Sequence, residues 1–180
     1  MTKKRILLVD CDGTIRNPTK RNKYINKPHQ QKVIEKSVEA IAYFANKNIT
    51  IIGITNQAGV ASKHKSLQDC IEEQRYTLEL IPQIQGIHFC PDFEGNECWY
   101  VTQEETTNVS HYKNGKYRGQ YRKPNPGMLQ LAADQEGVSI QECVMIGDRL
   151  PDQKAAENAR MQYFDVKEWW GKYSEIAELF

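Results

Sequence analysis

The sequence has no apolar run approaching the length that crosses a bilayer, and its opening, MTKKRILLVDCDG, turns acidic too early for a signal peptide. It lacks charge imbalance: 24 Lys and Arg stand against 23 Asp and Glu, a net of +1, which excludes the global basic field of a non-specific nucleic-acid binder but leaves room for a local patch. It has no G-x-x-x-x-G-K-[ST], so a P-loop kinase is excluded. Cysteine is sparse and odd in number, at Cys11, Cys70, Cys90, Cys98 and Cys143, which does not read as the disulfide framework of a small secreted domain. Repeats and low-complexity tracts are missing. These absences point to a soluble cytoplasmic protein, in which the N-x-S/T triplets at Asn48 and Asn108 carry no meaning. The 180 residues suit a single domain, 1–180, with a real core.

What is present alternates. RILLVD (5–10), ITIIGI (49–54), ECVMIG (142–147) and QYFDV (162–166) are short apolar runs of the kind that form strands buried on both faces. Helical patterns lie between them. Ile34, Val38, Ile41 and Ala45 share one face, as do Leu67, Ile71, Leu78 and Ile81 behind Ser66 as N-cap. Pro126 to Glu136 starts with proline and stops at Gly137, Pro151 opens another helix through Ala159, and a last helix breaks or is delayed near Gly171, with Trp169 and Trp170 closing the core. The pattern predicts an α/β fold with a mostly parallel central sheet flanked by helices. Residues 86–122 interrupt it as a small aromatic-rich insertion beside the site, with KNGK (113–116) as a type I′ hairpin signal. The segment from Ile15 to Gln31 reads as a loop, so no large cap covers the site.

Ligands in an open parallel sheet sit beyond the carboxyl ends of its strands. The polar clusters ending three of these runs therefore belong together: DCDGT after the first, TNQAG after the second, GDRLPD after the third, with YRKPNPGM in between. Asp10 and Asp12, two apart in an extended segment, point the same way and repel unless a cation intervenes. Mg²⁺ suits carboxylate, carbonyl and phosphate oxygens together. Asp10 is the candidate nucleophile and Asp12 the proton carrier. Gly13 lets the chain turn under the site. Thr55 and Lys123 offer donors to phosphate oxygens, and Asp148 is a third metal anchor. Asp152 ligates, bonds metal-bound water or orients Lys123.

In this order, DCDGT, TNQAG, RKPNPGM and GDRLPD resemble the four motifs of the haloacid dehalogenase (HAD) superfamily, and the TNQ and RKP-x-PGM variants resemble its IIIA group. That group holds histidinol-phosphate and heptose-bisphosphate phosphatases and polynucleotide 3′-phosphatase domains. The resemblance spans residues 5 to about 160 and implies a Rossmann-like fold, Mg²⁺ and an aspartyl-phosphate intermediate. It implies Asp10, Asp12, Thr55 and Lys123 as catalytic residues, and Asp10, Asp12, Asp148 and Asp152 around the metal. Gly13, Asn56, Arg122 and Arg149 are implied on the substrate side. Heptose-bisphosphate phosphatases also carry a zinc loop of C-x-H and C-x-C type, and here Asp92 and RGQY (118–121) stand where its ligands would fall. His88, Cys90, Cys98 and His111 then read either as packing residues with reduced thiols or as a rearranged zinc site.

Lys20, Arg21, Lys23 and Lys27 form a basic loop near the site, read either as a solvated surface or as a guide for a polyanion. Lys113, Lys116, Arg118 and Arg122 interleave with Tyr112, Tyr117 and Tyr121, which is also the pattern of single-strand binders. The expectation is a Mg²⁺-dependent phosphomonoesterase acting on a small phosphorylated metabolite such as a sugar phosphate. The alternative partner is a nucleic-acid 3′-phosphate end. No membrane is expected, and the sequence names no protein partner.

Overall fold

In a computed structural model, residues 4–19 and 22–180 are described. Four apolar runs become the parallel strands β1 (Ile6–Val9), β4 (Thr50–Asn56), β8 (Cys143–Gly147) and β9 (Gln162–Asp165). A fifth parallel strand, β5 (Gly86–Cys90), pairs with β4. The antiparallel edge strands β6 (Trp99–Val101) and β7 (Thr106–Asn108) complete a seven-stranded sheet of order β7-β6-β5-β4-β1-β8-β9.

Side chains alternate faces along a strand, and β1 shows it directly. Leu7 and Val9 pack on one face with α1 (Glu35–Asn46), α2 (Leu67–Leu80) and α6 (Val166–Ala177); Ile6 and Leu8 pack on the other with α4 (Gly127–Glu136) and α5 (Leu150–Ala159). Burial on both faces explains why these runs are apolar without alternation. Helix ends follow local chemistry. The Ser66 hydroxyl accepts from Asp69 N at 3.0 Å, and Gly137 ends α4 in the left-handed region at φ 66°. Helix α6 kinks at Lys172, one residue beyond Gly171. Trp169 is fully buried, and Trp170 is partly buried with its Nε1 donating to Ser37 Oγ. All five cysteines are free and buried.

Three expectations need correction. The segment after Asp12 is more than a loop: β2 (Arg16–Pro18) and β3 (Gln31–Val33) form a small antiparallel flap. Of residues 86–122, β5 belongs to the parallel core, so the inserted part begins after Cys90 and extends the sheet edge. KNGK does turn, with Lys113 and Asn114 both at positive φ, but as the one-turn element α3 (Tyr112–Gly115) with no paired strands beside it. Among the described residues, no helix is long and apolar enough to cross a membrane.

Candidate active site

Because β1, β4 and β8 run parallel, their carboxyl ends deliver Asp10, Thr55 and Asp148 to one edge, where a cleft of about 580 Å³ opens. Lys123 reaches it from the loop before α4. Its ammonium places all three donors, on Asp10 Oδ1 (2.7 Å), Asp152 Oδ1 (2.5 Å) and the Ile54 carbonyl (2.9 Å). Its backbone is held by Asn56, which donates to Lys123 O (2.9 Å) and accepts from Lys123 N (3.0 Å). Asn56 thus positions the lysine loop while also lining the cleft. Asp10 Oδ2 accepts from Thr14 Oγ1 at 3.1 Å, a residue to which the sequence reading gave no role.

The Asp10 carboxyl is raised to about 7: burial pushes it up most, Lys123 opposes the rise, and Asp152 and Asp12 add to it. Burial works against the Lys123 ammonium too, but Asp10 and Asp152 outweigh it and hold the group above the usual lysine range. Burial also raises Asp148. Three acids crowded in this way favour a cation. Asp10, Asp148 and Asp152 each offer an oxygen within 4.8 Å of the others, and Asp148 Oδ1 is buried without a hydrogen-bond partner. Gly13, at φ +93°, makes room: a Cβ there would lie 2.8 Å from Asp148 Cγ. Hard carboxylate oxygens with one orphaned atom fit Mg²⁺. Asp152 has both oxygens engaged, one by Lys123 (2.5 Å) and one by Arg149 N (3.1 Å).

Asp12 lies outside this acidic group. Its oxygens accept from Arg16 Nε (2.9 Å) and Gln57 Nε2 (2.9 Å). Burial would raise its carboxyl, but Arg16, Lys65 and Gln57 prevail and hold it below the usual carboxylate range. As a metal ligand the Asp12 side chain therefore does not join the other three; as a proton carrier it stands beside the cleft that it lines. Thr55 is buried and accepts from Gln57 Nε2 at 3.0 Å. Arg122 lines the cleft over the Phe93 ring, its guanidinium carbon 5.6 Å from the centroid and its buried Nη1 without a partner. Arg149 is exposed beside Asp148, Nε to Oδ2 at 3.5 Å.

The flanking patches resolve differently from their sequence pattern. Lys20 and Arg21 lie outside the described residues. Lys27 pairs with Asp69, and Lys23 lies over the Tyr24 ring at the cleft. The basic-aromatic stretch does not form a stacking surface: Tyr117 and Tyr121 are buried, and Lys113 and Lys116 both pair with Asp134. His88 Nδ1 lies 3.9 Å from Cys98 Sγ and its ring stacks on Tyr100, while Cys90 donates to Asp92. Among the described residues, no other set of three His, Cys, Asp or Glu converges as the acidic trio does, so the rearranged zinc site is not assembled. The sequence reading also missed Arg16, Lys65 and Glu73, three charged side chains buried behind Asp12.

Comparison with known proteins agrees with this geometry. A family model described as HAD-hydrolase-like matches residues 120–175, which include Lys123, Asp148 and Asp152. A D-glycero-alpha-D-manno-heptose-1,7-bisphosphate 7-phosphatase from Campylobacter jejuni is 29% identical over 161 residues, covering 87% of this chain and 78% of its own. The structure of a D,D-heptose 1,7-bisphosphate phosphatase from B. bronchiseptica, complexed with magnesium and phosphate, superposes with a TM-score of 0.68 at 21% identity, over 88% of this chain and 78% of that one. A HAD-like phosphatase structure from Mesorhizobium loti gives 0.72 at 20% identity, over 99% and 88%.

Proposed function

We propose that this chain, a phosphatase of the haloacid dehalogenase type, is a Mg²⁺-dependent phosphomonoesterase that works through an aspartyl-phosphate on Asp10 and acts on a small phosphorylated sugar. The observation that carries the reading is the meeting of Asp10, Lys123, Asp148 and Asp152 at one strand edge. Asp10 and Asp148 would hold the metal, with Asp152 beside them. Bound there, Mg²⁺ supplies positive charge that offsets repulsion between these carboxylates and an arriving phosphate.

The residues divide the chemistry. Lys123 pairs with Asp10 before substrate arrives and stabilises charge on the phosphoryl oxygens during transfer. Asp10 attacks phosphorus in line, and the bond to the leaving oxygen breaks. A monoester has a second pKa of about 6, so its monoanion brings a proton that Asp12 passes to that oxygen. Asp12, now a carboxylate held by Arg16 and Gln57, takes a proton from water, which attacks phosphorus and frees Asp10 and inorganic phosphate, the phosphate carrying that proton away and leaving Asp12 a carboxylate again.

The cleft suits a small, hydroxyl-rich substrate. Its volume falls within the ~300–1,000 Å³ of small-molecule sites. Away from Asp10 it is lined by Asn17, Asn26, Ser62 and His64, with the exposed Tyr24 ring at its mouth. Arg122, with a free donor, would take a polar group of the leaving portion. The test is a rate comparison across sugar mono- and bisphosphates and 3′-phosphorylated oligonucleotides, with Mg²⁺, at several salt concentrations. Preference for a sugar phosphate with little salt dependence is expected. A preferred oligonucleotide with steep salt dependence overturns the sugar reading and supports the nucleic-acid end.

A further inference from the structure

Behind Asp12 the side chains close a ring. Glu73, on α2 and fully buried, accepts from two cations, with Oε1 taking Arg16 Nη2 (2.7 Å) and Oε2 taking Lys65 Nζ. Arg16 turns its Nε to Asp12 Oδ1 (2.9 Å) and its Nη1 to Thr77 Oγ1. Lys65 donates to Gln57 Oε1 (2.5 Å), and Gln57 donates to Asp12 Oδ2 (2.9 Å). Both oxygens of Asp12 are thus held by arms that begin on the two oxygens of one carboxylate. The ring contains two cations and two carboxylates, so it is neutral. Lys65 also donates to Ile25 O, and Gln31 Nε2 to Glu73 O, which ties the flap to the same carboxylate's helix.

A ring of this kind is costly to assemble. Two buried cations need full pairing to offset their desolvation, and an apolar replacement would serve folding equally well. Fold stability alone does not call for it, whereas aiming one carboxylate does. We propose that Glu73 is a positioning residue that acts through Arg16 on one side and Lys65–Gln57 on the other to aim Asp12 at the leaving oxygen. Neither Glu73 nor Arg16 lines the cleft, so neither contacts substrate. The proposal rests on the phosphatase reading and on Asp12 as its proton carrier.

The consequence is specific to the leaving group. A nitrophenolate departs without a proton, whereas a sugar alkoxide needs one, so a misaimed Asp12 slows transfer to Asp10 selectively from the sugar ester, while the later attack of water, common to both esters, slows alike for the two. The test compares Glu73→Gln with wild type on p-nitrophenyl phosphate and on a sugar phosphate that the wild type hydrolyses, both with Mg²⁺. One arm breaks in Glu73→Gln, because the amide offers one acceptor for two donors. The expected result is a fall in kcat/KM, which covers the steps through departure of the leaving group, of at least ten-fold on the sugar phosphate and at most three-fold on the aryl ester. Where Glu73→Gln does not fold, the combination Arg16→Met, Lys65→Met and Glu73→Leu removes every buried charge of the ring except Asp12, and the same selectivity is expected. An equal fall in kcat/KM on both esters, or none, in the folded variant overturns the proposal alone. A wild type that hydrolyses neither p-nitrophenyl phosphate nor any sugar phosphate tried with Mg²⁺ overturns the activity reading and the proposal with it.

Discussion

Gly13→Ala separates two tasks that one residue performs. At φ +93° an L side chain is disfavoured, which costs about 1–2 kcal/mol. The added Cβ would also lie 2.8 Å from Asp148 Cγ and closer still to Oδ2. Carbon atoms in good contact stand ~3.5–4.0 Å apart, so something must move. The carboxylate is the free end of its side chain, and its Oδ1 has no hydrogen bond to lose, so it rotates away while β8 stays in place. Folding therefore loses little beyond the backbone term, equivalent to a Tm fall of roughly 2–8 °C for a chain of this size. The proposed metal site then loses a ligand oxygen, and the Mg²⁺ concentration for half-maximal activity should rise at least about ten-fold, as when ligand orientation is disturbed elsewhere.

Gly147→Ala is the control with the opposite signature. Its Cβ would lie 2.6 Å from Asp152 Cγ and closer to Asp152 Cβ, an atom rooted in the first turn of α5. Asp152 is tied at both oxygens, to Lys123 and to Arg149 N, so the backbone has to give. Overpacking of that kind costs about 1–3 kcal/mol, occasionally more. Calorimetry in chelator, followed by Mg²⁺ titration of activity, reads both variants. The reasoning is refuted by an unchanged Mg²⁺ requirement in Gly13→Ala, or by an unchanged Tm in Gly147→Ala.

Three other outcomes are expected. Lys123→Met leaves Asp10 and Asp152 buried without their shared cation, a loss of about 3–5 kcal/mol that lowers Tm in chelator by roughly 10 °C and is partly restored by Mg²⁺; a Tm within about 2 °C of wild type contradicts it. His88 is held neutral by burial, down to about 3 from its ordinary 6.5, so between these values the unfolded chain binds the extra proton and stability falls as pH falls. From about pH 7 to about pH 5 the loss is about 2 kcal/mol, and His88→Phe, which keeps a ring against Tyr100, should show a shallower fall in Tm; parallel pH profiles would rule the effect out. Ser66→Ala removes the cap on Asp69 N and should cost about 1 kcal/mol in a denaturant titration, with no loss telling against the cap.

The site was legible where chemistry and strand ends coincide. Asp10, Thr55 and Asp148 follow or end apolar runs, and parallel pairing then leaves them no place but a common edge. Ser66 and Gly137 were legible because caps are local. Arg16 was not, because a basic residue followed by Lys20, Arg21 and Lys23 reads as part of a solvated loop until α2 is placed against it. A signal did exist. Cys70, Glu73, Gln74, Thr77 and Leu78 recur at helical spacing, and three polar members of a buried stripe require partners. The basic-aromatic pattern misled for the converse reason: alternation of type does not say which side is buried, and Tyr117 and Tyr121 face the core. Flap strands of three residues are too short for periodicity to reveal.

The central claim is that Asp10 carries the phosphoryl group. The most direct measurement is acid-quenched turnover of a radiolabelled sugar phosphate with Mg²⁺, followed by peptide mapping. Label on the peptide containing Asp10, formed and lost at rates compatible with turnover and missing in Asp10→Asn, is the predicted result. Turnover with no label on that peptide, or Asp10→Asn hydrolysing the ester as fast as wild type, would contradict the account.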